Sequence, residues 1–364
     1  MSQVEEKINK ETHIPFWRRW IHHIVPTQFN DIFGLVKRLV TSRSLEAWSA
    51  MLYAFMGVVL TPLDLILQQF EKGFYQKANS PQLPQIFVCG APRSGTTLTA
   101  QVLIKHLPVF YFNNLTSLFP RSPITASKLF GLFLKNNKDQ ISYVSFYGRT
   151  ARLSAPNDAL YFWDRWIGAD RTKLPESISA DNQDAIVRFF GAFESYSKKP
   201  LVAKNNNLNT YAHLIGEILD TAYFICLDRD PVYLAQSHLI ARRLIHGDES
   251  IAYGIRSAEN EKAEGDIDPL EDICRQVLFN RQRIKQQQEK LGQDRFIIIC
   301  YEDFCADPAK WVAEISARIL GKPIDAIQLR ESLKPFPSAN KRKVNEATFL
   351  KIKETFNGLK REGG

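Results

Sequence analysis

The residues with the clearest chemical meaning form one run, Phe87-Val88-Cys89-Gly90-Ala91-Pro92-Arg93-Ser94-Gly95-Thr96-Thr97-Leu98. An apolar strand-like stretch enters a loop flanked by glycines and leaves it as the first turn of a helix. Backbone amides at such a turn point toward a common centre, and the helix dipole favours negative charge there. Gly90, Gly95 and Thr97 stand at the glycine and hydroxyl positions of the phosphate-binding pattern GxxxxGK[ST]. One position departs. Thr96 takes the place of the lysine that reaches the β- and γ-phosphates of a nucleoside triphosphate. The loop therefore suits a 5′-phosphate, and triphosphate cleavage is disfavoured. An ordinary tight strand–helix turn is the competing reading; two glycines at this spacing, with an arginine, a serine and two threonines beside them, argue against it.

The string Ala91-Pro92-Arg93-Ser94-Gly95-Thr96-Thr97 resembles the 5′-phosphosulfate loop of the sulfotransferases that use 3′-phosphoadenosine 5′-phosphosulfate, in their bacterial and tyrosylprotein-sulfotransferase-like branch. A second family hallmark follows in order: Phe224-Ile225-Cys226-Leu227-Asp228-Arg229-Asp230-Pro231 leads into a helix carrying Ser237. The resemblance implies that Arg229 and Ser237 hold the donor's 3′-phosphate, while Arg93, Ser94, Gly95, Thr96 and Thr97 hold its 5′ side. That placement is physically reasonable. Arg229 ends a strand, where open α/β sheets bind ligands, and Ser237 lies about two turns into the next helix. Lys204, closing Leu201-Val202-Ala203, is similar in position to a lysine that members place near the sulfuryl group. Tyr301-Glu302-Asp303-Phe304 resembles the family's YEDL segment and adds Tyr301 to the donor site. Lys341 and Arg342, followed by Lys343, match a basic C-terminal loop that caps the 3′-phosphate in related enzymes; a solvated basic tail is the alternative. The resemblance covers Gln85 to Leu320, and the Leu60–Leu67 run is also similar to bacterial members.

Sulfuryl transfer, by analogy with phosphoryl transfer, passes through a loose in-line transition state in which charge grows on the leaving phosphate. Fixed donors aimed there supply most of the catalysis; Arg93, Thr96, Thr97 and Lys204 are the candidates. An acceptor hydroxyl also needs a base. The glutamate that tyrosylprotein sulfotransferases carry about twenty residues beyond the loop has no counterpart in Tyr111-Phe112-Asn113-Asn114-Leu115-Thr116. Asp158, in a segment resembling an acidic loop of some bacterial members, is the first substitute. Asp164 is second, with a structural pairing to Arg165 as its other reading. His213 is third, with a surface histidine as the alternative.

The elements that must position these groups are legible in the hydrophobic pattern. Short continuous apolar runs at Gln85–Cys89, Leu201–Ala203, Ala222–Leu227 and Phe296–Cys300 each precede a helical segment: Thr97–Leu107, Tyr211–Leu219, Val232–Leu244 and Pro308–Leu320. This predicts an α/β fold, a P-loop-like parallel sheet flanked by helices. Residues 1–79 read as a helical N-terminal segment, 79–84 as a punctuated connector, 85–340 as the α/β domain and 341–364 as a basic tail with a surface helix. Phe146 to Gly191 reads as an irregular aromatic-rich segment suited to a lid or acceptor pocket.

With 364 residues, 45% hydrophobic and 24% charged, the chain can bury a sizeable core, which excludes a disordered or fibrous protein. The net charge of +8 permits anionic partners without choosing among them. Cys89, Cys226, Cys274, Cys300 and Cys305 lack CxxC spacing and read as buried thiols, which excludes a disulfide-built module and metal ligation. No cleavable signal peptide is expected. Ala47–Leu63 carries no charge and sits at the short limit for a membrane span; spanning the bilayer, membrane-surface contact through residues 45–70 and packing on the domain are the competing readings, beside a cytoplasmic location. Asn114-Leu115-Thr116 fits an N-glycosylation triplet. The expected acceptor is a small molecule, carbohydrate, lipid or peptide, with no nucleic acid and no metal. A nucleotide or small-molecule kinase and a non-catalytic adenine-nucleotide-binding protein are the alternatives.

Overall fold

A computed structural model of the chain describes residues 31–131, 138, 141–168, 173–257 and 267–362; the helical reading of residues 1–30 lies outside them. Helices α1 (Ile32–Thr41), α2 (Leu45–Val59) and α3 (Thr61–Gln76) precede strand β1 (Gln85–Gly90). Among the described residues, five helices lie between β1 and β2 (Leu201–Lys204): α4 (Thr96–His106), α5 (Asn114–Leu118), α6 (Pro123–Phe130), α7 (Leu160–Ile167) and α8 (Ala180–Ser197). Then come α9 (Leu208–Ile218), β3 (Ala222–Asp228), α10 (Pro231–Ile245), α11 (Pro269–Leu291) and β4 (Phe296–Cys300). Helices α12 (Tyr301–Ala306), α13 (Pro308–Leu320), α14 (Ala326–Ser332) and α15 (Glu346–Glu362) complete the described chain.

The four strands form one parallel sheet in the order β2-β1-β3-β4, so the α/β expectation holds. Their side chains alternate between two cores. Phe87, Cys89, Phe224 and Phe296 face one side with α8 and α9. Ile86, Val88, Ile225, Leu227 and Ile299 face the other with α4 and α13. Burial on both faces is why these strands read as continuous apolar runs. The register sets Val88 beside Lys204 and Gly90 beside Leu227, which brings the carboxyl ends of β1, β2 and β3 to one edge.

Three of the helices begin at an Asp-Pro dipeptide. Asp230, Asp268 and Asp307 each accept backbone amides of the first turn, with proline in the first turn. Helix α4 differs: Gly95 stands at its N-cap in a left-handed conformation, and no side chain caps it.

Two expectations are corrected. Phe146–Gly191 is not irregular throughout, because α7 and much of α8 occupy it, and Phe162, Trp163, Trp166, Phe189 and Phe190 are buried in the core. Those rings pack against one another and against Phe87 in edge-on and tilted pairs, so they support the sheet and form no lid. Cys300 is exposed, at the end of β4 where the inward alternation stops, whereas the other four cysteines are buried.

Among the described residues no single helix is long and apolar enough to cross a membrane; α2 and α3 pass that test only together, bent by 69°. The carboxylates of α3 point inward. Asp64 accepts from the Ser122 hydroxyl at 2.6 Å and the Arg121 amide at 3.1 Å. Glu71 accepts the Ile124 and Thr125 amides at 3.0 and 2.8 Å, capping the first turn of α6 from a distant helix.

Candidate functional site

The loop after β1 is built from three left-handed residues. Gly90, Arg93 and Gly95 have φ of +143°, +74° and +101°. A Cβ on Gly90 would lie 2.5 Å from the Leu227 carbonyl oxygen, and one on Gly95 would run into the Tyr301 ring. Only glycine lets the loop close this tightly against β3 and α12. The result is an uncapped helix N-terminus facing the carboxyl edge of the sheet, the arrangement that binds anions. Ser94 sits inside it with its hydroxyl fully buried and without a hydrogen-bond partner, which fits a phosphate or sulfuryl oxygen arriving there. Thr96 is turned away: its hydroxyl donates to Asn206 at 2.8 Å.

Arg229 leaves the end of β3 and meets the same loop. Its Nη1 donates to the Arg93 carbonyl at 2.9 Å, its Nε donates to Asn340 at 2.8 Å, and its guanidinium lies 4.9 Å from the Tyr301 ring centre. Burial pushes this guanidinium below its ordinary pKa, with the neighbouring Arg93 acting the same way. An anion between the two arginines would relieve both costs. Arg93 donates to the Ser237 hydroxyl at 3.3 Å and stacks 4.4 Å over the Tyr147 ring. Arg93, Arg229, Ser237 and Tyr301 thus meet around one loop.

The C-terminal loop arrives at the same place through contacts that the sequence did not advertise. Gln236 donates to the Lys341 carbonyl at 2.9 Å and accepts the Lys343 amide at 2.7 Å. Glu302 accepts from Asn340 at 2.6 Å, and the Tyr301 hydroxyl accepts the Ala339 amide at 3.1 Å. Lys341 and Arg342 are held beside α10 by this clamp and stay exposed, with Arg342 ion-paired to Glu346 at 3.3 Å.

Beyond the loop lies a second cluster. Lys204 and Asp158 form an ion pair at 2.6 Å, with little of either side chain exposed. A Cβ on Gly148 would lie 3.5 Å from Lys204 Nζ, 3.6 Å from Asp158 Oδ2 and 3.7 Å from Thr97 Oγ1. Three polar groups therefore meet around one point, and Gly148 at φ +86° leaves room for them. Gly148 and Tyr147 are the two centre residues of a tight turn closed by reciprocal 2.9 Å bonds between Phe146 and Arg149. A small pocket beside the cluster is lined by Thr97, Gln101, Phe112, Asn157, Asp158 and Lys204.

The segment carrying Asp158 is fastened by Asn114, which donates to the Arg152 and Thr150 carbonyls at 2.7 and 3.1 Å and accepts from Asn157 at 2.7 Å. Asn114 is buried, so the triplet Asn114-Leu115-Thr116 is an internal brace and not an accessible glycosylation acceptor. Asp164 and His213 are placed elsewhere. Asp164 lines a separate hollow with Trp163, Asn205 and Tyr211. His213 is engaged by Gln287 of α11, which lies 2.8 Å from its Nδ1 and accepts its backbone amide at 2.8 Å.

Sequence reading also missed the residues that hold the loop. Asn206, Gln236, Asn340 and His238 carry no motif of their own, although Gln236 and His238 flank Ser237. His238 is fully buried, and its Nε2 donates to the Pro92 carbonyl at 2.7 Å. Burial first, and the Arg242 charge second, push its pKa from 6.5 down to about 3. The unfolded chain therefore binds a proton in this interval that the folded chain excludes. This contribution is complete above pH 6.5 and is lost as pH falls toward about 3. His238→Gln should flatten the acid limb, seen as a smaller drop in urea midpoint between about pH 7 and about pH 5.

Among the described residues no group of three or more His, Cys, Asp or Glu side chains is arranged to hold a metal ion. The sulfotransferase family pattern matches residues 84–322. No curated protein sequence matches the chain significantly. Among solved structures, the chain is similar to sulfotransferase STF9 from Mycobacterium avium, at 14% identity and a TM-score of 0.53 over 86% of each chain. It is also similar to sulfotransferase STF1 from Mycobacterium tuberculosis H37Rv, at 14% identity and a TM-score of 0.49 over 91% of this chain and 92% of that one. The likeness to STF9 speaks for the fold. The family match covers the phosphate loop, the Asp158–Lys204 pair, Arg229 and Tyr301, and by it this chain belongs to the sulfotransferase family.

Proposed function

We propose that this sulfotransferase draws its sulfuryl group from 3′-phosphoadenosine 5′-phosphosulfate and passes it to an acceptor hydroxyl or amine, with Asp158 as the base. The observation that carries the reading is the meeting of Asp158, Lys204 and Thr97 around Gly148, beside an uncapped helix N-terminus. In this reading the amides from Ser94 to Thr97, the Ser94 hydroxyl and the Arg93 guanidinium hold the donor's 5′ side. Arg229 and Ser237 hold its 3′-phosphate, with Lys341 and Arg342 at the rim. Thr96 contributes its amide, since its hydroxyl is committed to Asn206.

The acceptor oxygen forms a bond to sulfur as the bond from sulfur to the 5′-phosphate oxygen breaks. The acceptor proton passes to a carboxylate oxygen of Asp158, and the electron pair of the broken bond stays on the phosphate. Adenosine 3′,5′-bisphosphate and the sulfated acceptor leave. Lys204, bonded to Asp158, orients the carboxylate and places a positive charge beside the sulfuryl oxygens.

Calorimetric titration separates this from the kinase alternative. Adenosine 3′,5′-bisphosphate should bind in the presence of EDTA and more tightly than ATP. Arg229→Ala should weaken it by ~1.5–3 kcal/mol, or roughly 10- to 150-fold, the worth of a charge-assisted bond. A magnesium requirement with preference for ATP would exclude the proposed donor. Equal affinity in Arg229→Ala would remove that arginine from the site.

A further inference from the structure

The polarity of α2 and α3 is inverted. On a helix packed against a soluble protein, apolar side chains face the core and charges face water. Here Asp64 and Glu71 are each 1% exposed, while Phe55, Ile66 and Phe70 are 65%, 62% and 67% exposed. Trp48, Leu52, Phe55 and Val59 follow one another at helical spacing along α2, all exposed, and Leu63, Ile66 and Phe70 do the same along α3. No exposed carboxylate interrupts this face from Ala47 to Ala78. The exposed charges that flank it are basic, Lys37 and Arg43 before it and Lys72 and Lys77 at its far end; the half-buried Glu46 at the start of α2 accepts from the Ser44 hydroxyl at 2.7 Å. Scattered exposed apolar residues are ordinary, but a continuous face of this size marks a docking surface.

We propose that the outer face of α2 and α3 seats this protein on an anionic lipid bilayer, with the helices lying in the interface. The charge pattern selects lipid as the occupant: an apolar strip bracketed by lysine and arginine complements acyl chains bracketed by acidic headgroups. Length selects lying over spanning. Helices of 15 and 16 residues are about 23 Å long, short of a hydrocarbon core of about 30 Å, and they meet at a 69° bend. The seat adjoins the acceptor side of the site. Tyr53 and Met56 of α2, Leu67 of α3 and Leu153, five residues before Asp158, belong to one apolar cluster.

The test is co-sedimentation of the full chain with vesicles of phosphatidylcholine alone or mixed equally with phosphatidylglycerol. The chain should pellet with the mixed vesicles and less with the neutral ones. Leu52→Glu/Phe55→Glu and Ile66→Glu/Phe70→Glu should each lower partitioning by roughly tenfold or more, as expected from the loss of large apolar side chains. Ile327→Glu, at a residue that is 73% exposed on α14, should leave it unchanged. These positions are exposed, so the thermal melts of the variants should match wild type. Failure of wild type to bind either vesicle overturns the proposal. A dimer in sedimentation velocity that the same substitutions dissolve would then assign the face to a second copy of the chain. Binding that survives both double substitutions and vanishes only with salt also overturns it, because the basic residues would then act without the apolar face.

Discussion

Asp158→Asn should leave the affinity for adenosine 3′,5′-bisphosphate at the wild-type level and lower turnover by ~10²–10⁴, the usual worth of a positioned general base. The asparagine oxygen can still accept from the Lys204 ammonium, so an ion–dipole contact replaces the ion pair. Because Lys204 is 6% exposed and loses its counter-charge, a thermal melt is the control that separates lost stability from lost chemistry. The companion variants decide between candidates. Asp164→Asn and His213→Gln should keep their activity, because Asp164 lines another hollow and His213 is engaged by Gln287. Normal turnover in Asp158→Asn with a dead but folded Asp164→Asn would move the base to α7. Activity in all three would mean that the acceptor ionises without any of them.

Gly95→Ala should damage the donor site through the ring that walls it. At φ +101° an alanine is strained by ~1–3 kcal/mol, and its Cβ would enter the Tyr301 ring. Tyr301 cannot yield quietly. Its hydroxyl accepts the Ala339 amide and its face receives Arg229, so displacing it loosens the C-terminal loop and the arginine together. Affinity for the bisphosphate should fall on the order of tenfold or more, and the melting temperature should fall as well. Gly358→Ala is the control. It lies in α15 with nothing within 4 Å of the new methyl, so alanine there should be neutral or stabilise by ~0.5–1 kcal/mol. Equal losses in both variants would mean that the loop tolerates a side chain and that Tyr301 is not a wall of the site.

Much of this protein was decided locally. The four strands ended within a residue of their apolar runs, because burial on both faces leaves an unbroken signal in the chain itself. The phosphate loop was equally legible, since left-handed φ at Gly90 and Gly95 and an uncapped helix start depend on neighbours only a few residues away. Arg229 and Ser237 were singled out through the family resemblance, and one strand end and one helix place the two. The aromatic segment misled because periodicity reports that rings are clustered but not which way they face. Tertiary packing turned Phe162, Trp163 and Trp166 into the core.

What only the tertiary structure decided are the pairings between distant segments. Asp158 and Lys204 carry no mutual signal in the sequence. They meet because Asn114 and Asn157 brace one segment against the end of a strand that lies beyond two further helices. Lys341 and Arg342 lie near the arginine pair through contacts of their loop with Gln236, Glu302, Arg229 and Tyr301, and the loop's carbonyl at Pro92 is held by a histidine that no motif marked. The inverted face of α2 and α3 is the same kind of fact. Composition showed that residues 47–63 are apolar, but only the docking of Asp64 and Glu71 onto α6 fixed which side of the helices is left outward. Local backbone preference acts within a turn or two of the chain, whereas side-chain partners are chosen by the packing of whole elements, and that choice exists only once they have come together.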